Sequence, residues 1–292
     1  MPNSRETIRQ LMLEEIPHAF VGVAADTASS TTELVDLDDE FLYFLGDGET
    51  NLQGYWIVRP DAATAADRVR RVSSADPGQG LLRVSRAWTN APDAEAFELY
   101  PPEFRPALID AAINRGLKRL PYIIEESITP VANDNSYALS GYTWVTNERS
   151  IREVYQEYNS STRFNREEYP WWKVFSDSGT FTLRLHPYPS TATGNSIIIE
   201  GISYYTALAT DAATTACPAD WAAAAGLVEL YRSMRRQTHG QDTTRWDAEF
   251  ADQRRALTRL TRRYAPRRGR RIMPRTPWVG PATTRIRGEL LY

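Results

Sequence analysis

Residues 218–236, "PADWAAAAGLVELYRSMRR", carry the reading of the fold. A proline at the start of a helix loses no hydrogen bond, because the first N–H groups have no partner there anyway. Behind Pro218, residues Trp221, Ala224, Val228 and Tyr231 recur at helical spacing and mark one apolar side. The run Ala222 to Ala225 lets a second backbone approach closely and needs no cofactor to explain it.

Working outward, residues 243–265, "TTRWDAEFADQRRALTRLTRRYA", repeat the pattern at Trp246, Phe250, Leu257, Leu260 and Tyr264. The connector "QTHGQD" is short, so the two segments are predicted to form an antiparallel helical hairpin. Arg262 and Arg263 in its last turn complement the helix dipole. A third helix is predicted over 102–120, "PEFRPALIDAAINRGLKRL", from Phe104, Leu108, Ile113, Leu117 and Leu120. A weaker amphipathic start runs from Ser4 to Ile16.

Between these helices the period falls to two. "TTELVDL", "EFLYFL", "GYWIVR" and "GLLRVS" before residue 100, then "WWKVF", "TFTLRLHP" and "NSIIIEGISYY", are short runs bounded by Asp, Gly, Ser and Pro. "WWKVFSDSGTFTLRL" reads as a hairpin turning at Ser-Asp-Ser-Gly. The expectation is therefore an α+β fold: a helical core, made of a helical hairpin plus a third helix, carrying inserted antiparallel β modules, with an extended C-terminal arm. In residue terms, 1–100 hold an N-terminal helix and a β-rich module, 101–120 and 211–265 the helical core, 121–210 a β-sandwich-like insertion, and 266–292 the basic arm.

The charge is unevenly placed. Residues 231–292 hold sixteen arginines, no lysine and five acids, which leaves 18 basic and 32 acidic residues for 1–230. Such a dipole predicts a body that does not hold nucleic acid and an end that seeks an anionic partner. There is no run of eighteen apolar residues, and the first twenty residues carry acids where a signal peptide is apolar, so no membrane contact is expected. Cys217 is the single cysteine, which permits no internal disulfide; its thiol is expected to pack as a small apolar group.

A search for chemistry finds no catalytic constellation. His18, His186 and His239 lack the spacing of a zinc motif, so no metal is expected. "DLDDE" at 36–40 reads as a turn in preference to a metal-binding DxD. "DGETNL" at 47–52 begins like a calcium loop but has Leu52 where the sharp turn needs glycine. No nucleophile elbow, dinucleotide fingerprint or phosphate loop occurs, so neither cofactor nor enzymatic activity is expected. Trp171, Trp172, Tyr169, Tyr188, Tyr204 and Tyr205 could line a sugar-stacking platform, but neighbouring residues on a strand face opposite ways, so one ring of each WW or YY pair is expected in the core.

The order of these elements resembles a known family. A strand-rich start leads to "VSRAWTNAPDAEAFELYPPEFRPALIDAAINRGLKRL", then to a β insertion ending in "LRLHPYPSTATGNSIIIEGISYYTAL", then to "CPADWAAAAGLVELYRSM" and an Arg-rich last helix. This is similar to the head-to-tail adaptor, or connector, proteins of tailed bacteriophages. The resemblance implies a structural virion protein of the neck, made in the host cytoplasm and assembled as a homo-oligomeric ring, commonly of twelve subunits. Its implied partners are the portal protein above, a tail, stopper or nozzle protein below, and double-stranded DNA passing through the lumen without specific binding. The arm would dock on the portal through Arg267, Arg268, Arg270, Arg271, Arg275, Trp278, Arg285, Arg287 and Tyr292. An acidic wall suits a DNA conduit, and the prolines of the arm pre-extend it for docking. Two other classes stay open: a tail or baseplate protein recognising host glycans through the aromatics, and an Arg-rich nucleic-acid-binding protein.

Overall fold

The structure, a computed structural model, describes residues 2–25, 30–35, 52–62, 67–76, 80–92, 94–158, 166–177, 179–192, 195–237 and 243–265. Two compact units emerge, one from Met1–Tyr122 with Tyr204–Ala265 and the other from Ile123–Ser203.

The first unit holds four helices: α1 (Arg5–Leu13), α2 (Pro106–Leu117), α3 (Ala219–Gln237) and α4 (Thr243–Tyr264). Ser4 caps α1 by accepting from Thr7 N, and Pro106 opens α2 where its missing N–H costs nothing. Small residues set the helix spacing. A Cβ on Gly116 would come within 2.8 Å of the Ala225 carbonyl carbon and the Gly226 nitrogen, so α2 and α3 cross backbone to backbone. Ala222 to Ala225 are all buried at that crossing.

The same unit contains a six-stranded antiparallel sheet in the order β2 (Phe20–Val23), β7 (Ala96–Tyr100), β4 (Trp56–Val58), β5 (Val69–Asp76), β6 (Leu81–Val84), β3 (Glu33–Val35). The sheet curls into a half-barrel, and just past β2 the Ala25 N–H donates to the Val35 carbonyl at 2.8 Å. Leu34, Ile57, Val72, Leu82, Phe97 and Leu99 fill one face of it. Val58 and Tyr100, the alternate neighbours, pack with Ile8, Met12, Ile113, Trp221 and Tyr231 of the helices. A short pair, β1 (Asn3–Ser4) with β15 (Thr214–Thr215), ties the start of α1 to the segment before α3.

The second unit is built from two sheets around one core. One runs β11 (Arg166–Glu168), β10 (Ile151–Glu157), β14 (Ser196–Tyr204), β8 (Pro121–Ile128); the other runs β12 (Trp171–Asp177), β13 (Thr180–His186), β9 (Ser136–Ala138). Val154, Ile197 and Ile199 of the first meet Val174, Leu183, Leu185 and Tyr137 of the second.

The expected helical core is corrected by this architecture. Among the described residues fifteen strands in four sheets stand against four helices, 35% strand to 28% helix, and the fold is β-rich. The predicted helical windows do hold α2, α3 and α4. They form one layer against a sheet, however, and the sheet supplies part of the same core; it is no attachment to a helical centre. The physical reason is visible in β7, "AFELY", which is covered on both faces and so shows no alternation. In β5, "VRRVSSAD", arginines and serines hide the apolar positions. The run "EFLYFL" lies outside the described residues.

Candidate functional site

The first unit buries a network of charge. Arg5 and Arg9 lie one turn apart on α1, on the stripe that also carries Ile8 and Met12, and both are buried. Arg9 Nε donates to Glu98 Oε2 at 2.6 Å, while Nη1 and Nη2 reach the two Asp211 oxygens at 2.8 and 3.1 Å. Asp110 accepts from Arg9 Nη1 at 3.3 Å, Arg5 Nε donates to Asp211 Oδ1 at 2.9 Å, and Arg68 also pairs with Asp211. Tyr100 Oη donates to Glu98 Oε2 at 2.7 Å.

Three arginines and three carboxylates thus hold α1, α2, β7 and the loop before α3 together. Burial by itself would raise the Asp211 pKa, but the hydrogen bonds and charges of Arg9, Arg5 and Arg68 outweigh it and hold the carboxyl below the usual aspartate range. For Glu98 burial dominates and the pKa is raised, against the pull of Arg9 and Tyr100; its Oε1 has no hydrogen-bond partner.

Two more buried arginines pin the segment before β7. Arg59 donates to Glu95 at 2.8 Å and to the Asn90 carbonyl at 2.9 Å, lying over the Trp88 ring; Arg70 bonds Asp67 at 2.8 Å, which also receives Thr89 N. A buried arginine stripe of this kind was legible in the spacing of Arg5 and Arg9 with Ile8 and Met12, and was not read from it.

A further group of cations lies on α4. On α4 only Trp246 and Gln253 are buried. Trp246 sits 5.7 Å from the Phe104 ring and 5.9 Å from that of Tyr231, and at the other end Tyr264 lies 5.9 Å from Trp221 and donates to Asp220 at 2.9 Å. Between these anchors Arg254, Arg255, Arg259, Arg262 and Arg263 are exposed. Arg255 meets Asp252 in open solvent; among the described residues Arg254, Arg259 and Arg262 meet no carboxylate. Where α3 ends, an open cleft of about 550 Å³ is lined by Arg232, Arg235, Arg236 and Asp247, but Arg232 and Arg235 are already taken by Glu229 and Asp247.

In the second unit the outward face of β12 and β13 carries Trp171, Lys173 and Phe175 beside His186, Arg184 and Thr182, paired in that order across the strands. Trp171 is 49% exposed, whereas Trp172 packs on the core. Likewise Tyr204 is 55% exposed, while Tyr205 stacks on Tyr122 at 4.7 Å. One ring of each pair faces inward, as alternation requires. Tyr169 is buried and Tyr188 exposed, so the six aromatics do not form one platform.

The nine arm residues expected to dock a partner, Arg267 to Tyr292, lie outside the described residues, as do His239, the connector 238–242, "DLDDE" and most of "DGETNL". His18 sits in a turn at φ 60°, in the first unit, and His186 on β13 in the second. Among the described residues no three His, Cys, Asp or Glu side chains are placed to hold a metal. Cys217 is fully buried in the helix-side core, where burial first and Asp220 second push its thiol up to about 12. No helix among the described residues is long and apolar enough to cross a membrane.

No family and no curated protein matches the chain. Among solved structures, the N-terminal domain of an adhesin from Streptococcus gordonii aligns at 12% identity over 64% of this chain and 48% of that one, with a TM-score of 0.14. A likeness of that size carries no argument about fold or function.

Proposed function

We propose that this protein is a structural component of the tailed-phage neck, a head-to-tail adaptor that forms a ring below the portal and docks through its last helix and residues 266–292. The observation that carries this reading is the partition of cations. The buried arginines of the first unit, Arg5, Arg9, Arg59 and Arg70, pair with carboxylates inside it, whereas α4 exposes five arginines, of which Arg254, Arg259 and Arg262 meet no carboxylate among the described residues, and it leads into residues 266–292 with seven arginines against one acid, Glu289.

The order of strands, α2, β8 to β14, α3 and Arg-rich α4 is the order on which the family resemblance rests. An acidic remainder and a basic end on the same chain are complementary between copies, and a head-to-tail contact of that kind closes rings. Within the arm, Arg267, Arg268, Arg270, Arg271, Arg275, Arg285 and Arg287 supply charge, and Trp278 and Tyr292 supply aromatic anchors of the sort that dominate interfaces.

The test is complementation of an adaptor-deficient phage with a chain lacking 266–292, scored by counting DNA-filled, tailless heads in electron micrographs. Such heads are expected to accumulate while the circular dichroism of the purified truncated chain stays that of the full one. Normal virions from the truncated chain would overturn the docking role.

A further inference from the structure

We infer that the outward face of β12 and β13 is a binding site for an acidic sugar, with the Trp171 indole as stacking surface and Lys173 and Arg184 as the carboxylate clamp.

Lys173 and Arg184 are direct cross-strand partners. Like charges placed opposite each other across a ladder destabilise it, so such a pair calls for a reason. Among the described residues neither side chain meets a carboxylate; each lies over the ring of Phe175, Lys173 Nζ at 4.9 Å and the Arg184 guanidinium at 4.8 Å. One aromatic ring therefore holds two cations side by side in solvent. Protection of a sheet edge accounts for a lysine on β12, which is an outer strand of its sheet, but not for an arginine on β13, which is the central one. An anion bridging the two cations removes the repulsion.

The rest of the face gives the ligand its class. Trp171 lies two residues from Lys173 on the same side, about 7 Å along the strand, with His186 opposite it as a further polar group. That spacing matches one pyranose ring resting its C–H face on the indole and turning its carboxylate toward Lys173 and Arg184. Asp177, at the far end of β12 on the same side, disfavours a dense polyphosphate, which needs many basic contacts in a row. A chain of sugars with spaced carboxylates fits two cations better than a nucleic acid does. The site lies in the second unit and is independent of the ring reading.

The test uses the full chain and isothermal titration with oligogalacturonate and sialyllactose, against neutral maltotetraose, an oligothymidylate and polyglutamate. The acidic sugars are expected to bind and to quench tryptophan fluorescence. Lys173→Gln with Arg184→Gln lowers that affinity at least tenfold, Trp171→Ala does the same, and Trp171→Phe restores most of it. All these positions face solvent, and unchanged thermal unfolding of the charge variant separates lost binding from lost folding. No binding of either acidic sugar at millimolar concentration, binding that survives the charge variant, or oligothymidylate or polyglutamate bound as tightly as oligogalacturonate would each overturn the assignment.

Discussion

The two units place their cations differently. The first buries Arg5, Arg9, Arg59 and Arg70 and answers each with a carboxylate, whereas the second has an aliphatic and aromatic core, pairs Arg166 with Glu157, and leaves Lys173 and Arg184 over the Phe175 ring with no carboxylate among the described residues. The difference separates cations that hold the fold from cations that are free for a ligand. In the first unit the ion network joins α1 to α2, β7 and Asp211 with directional bonds beside the apolar contacts of Ile8 and Met12. In the second, two sheets interdigitate and need no charge between them.

Substituting Arg9 by Ala is the strongest way to break this contrast. It leaves Glu98 and Asp211 buried without their main partner, and removal of one member of a buried ion network costs about 3–5 kcal/mol. In thermal unfolding the first unit is expected to melt at a much lower temperature, while the transition of the second stays in place. Equal loss in both would show that the units do not differ as described.

Asp211→Asn comes next, at about 2 kcal/mol near neutral pH, because two charge-assisted bonds to Arg9 and one to Arg5 weaken. Its pH dependence has a definite sign. The native pKa of Asp211 lies below the unfolded value of about 3.9, so its contribution is fully present above about pH 4 and is lost as pH falls through the native value. The gap between the native protein and Asp211→Asn should therefore narrow at acid pH, measured by urea unfolding across the range. A gap that widens on acidification would contradict the assigned direction.

Gly201→Ala probes the second unit in the same terms. A Cβ there overlaps the Trp144 ring and the Ser150 carbonyl, and overpacking of this kind costs about 1–3 kcal/mol. The expected effect is confined to the second unit, which hydrogen exchange on β10 and β14 would resolve.

The helices were legible because their signals are local: Pro106, the alanine run and the spacing of Trp246 and Phe250 each act within a few residues. The half-barrel was legible only in part. The runs read as strands at "TTELVDL", "GYWIVR" and "GLLRVS" do hold β3, β4 and β6, but β2, β5 and β7 come from separate parts of the chain and were not read, so the sheet that joins all six was not. Among site residues, the inward and outward rings of the WW and YY pairs followed from alternation alone. The same alternation put Lys173 beside Trp171, but its pairing with Arg184 depends on hairpin register, which the sequence leaves open until the turn is known.

The smallest effect on stability separates structure from docking most cleanly. Arg254, Arg255, Arg259, Arg262 and Arg263 are exposed, and α4 is held by Trp246 and Tyr264 at its two ends, not by these side chains. Replacing Arg255, Arg259 and Arg262 by Ser should change unfolding free energy by no more than about 0.5 kcal/mol each, the usual range for surface positions, with a small part of that from lower helix propensity. If the stripe docks an acidic surface, the same variant should weaken assembly and make it more sensitive to salt, since screened attractions are lost together. Sedimentation at low and moderate ionic strength measures this directly. A variant that assembles like the native chain at every salt concentration would reduce the stripe to solvated surface charge, and a variant that loses stability instead would place these arginines with Arg9 among the cations that hold the fold.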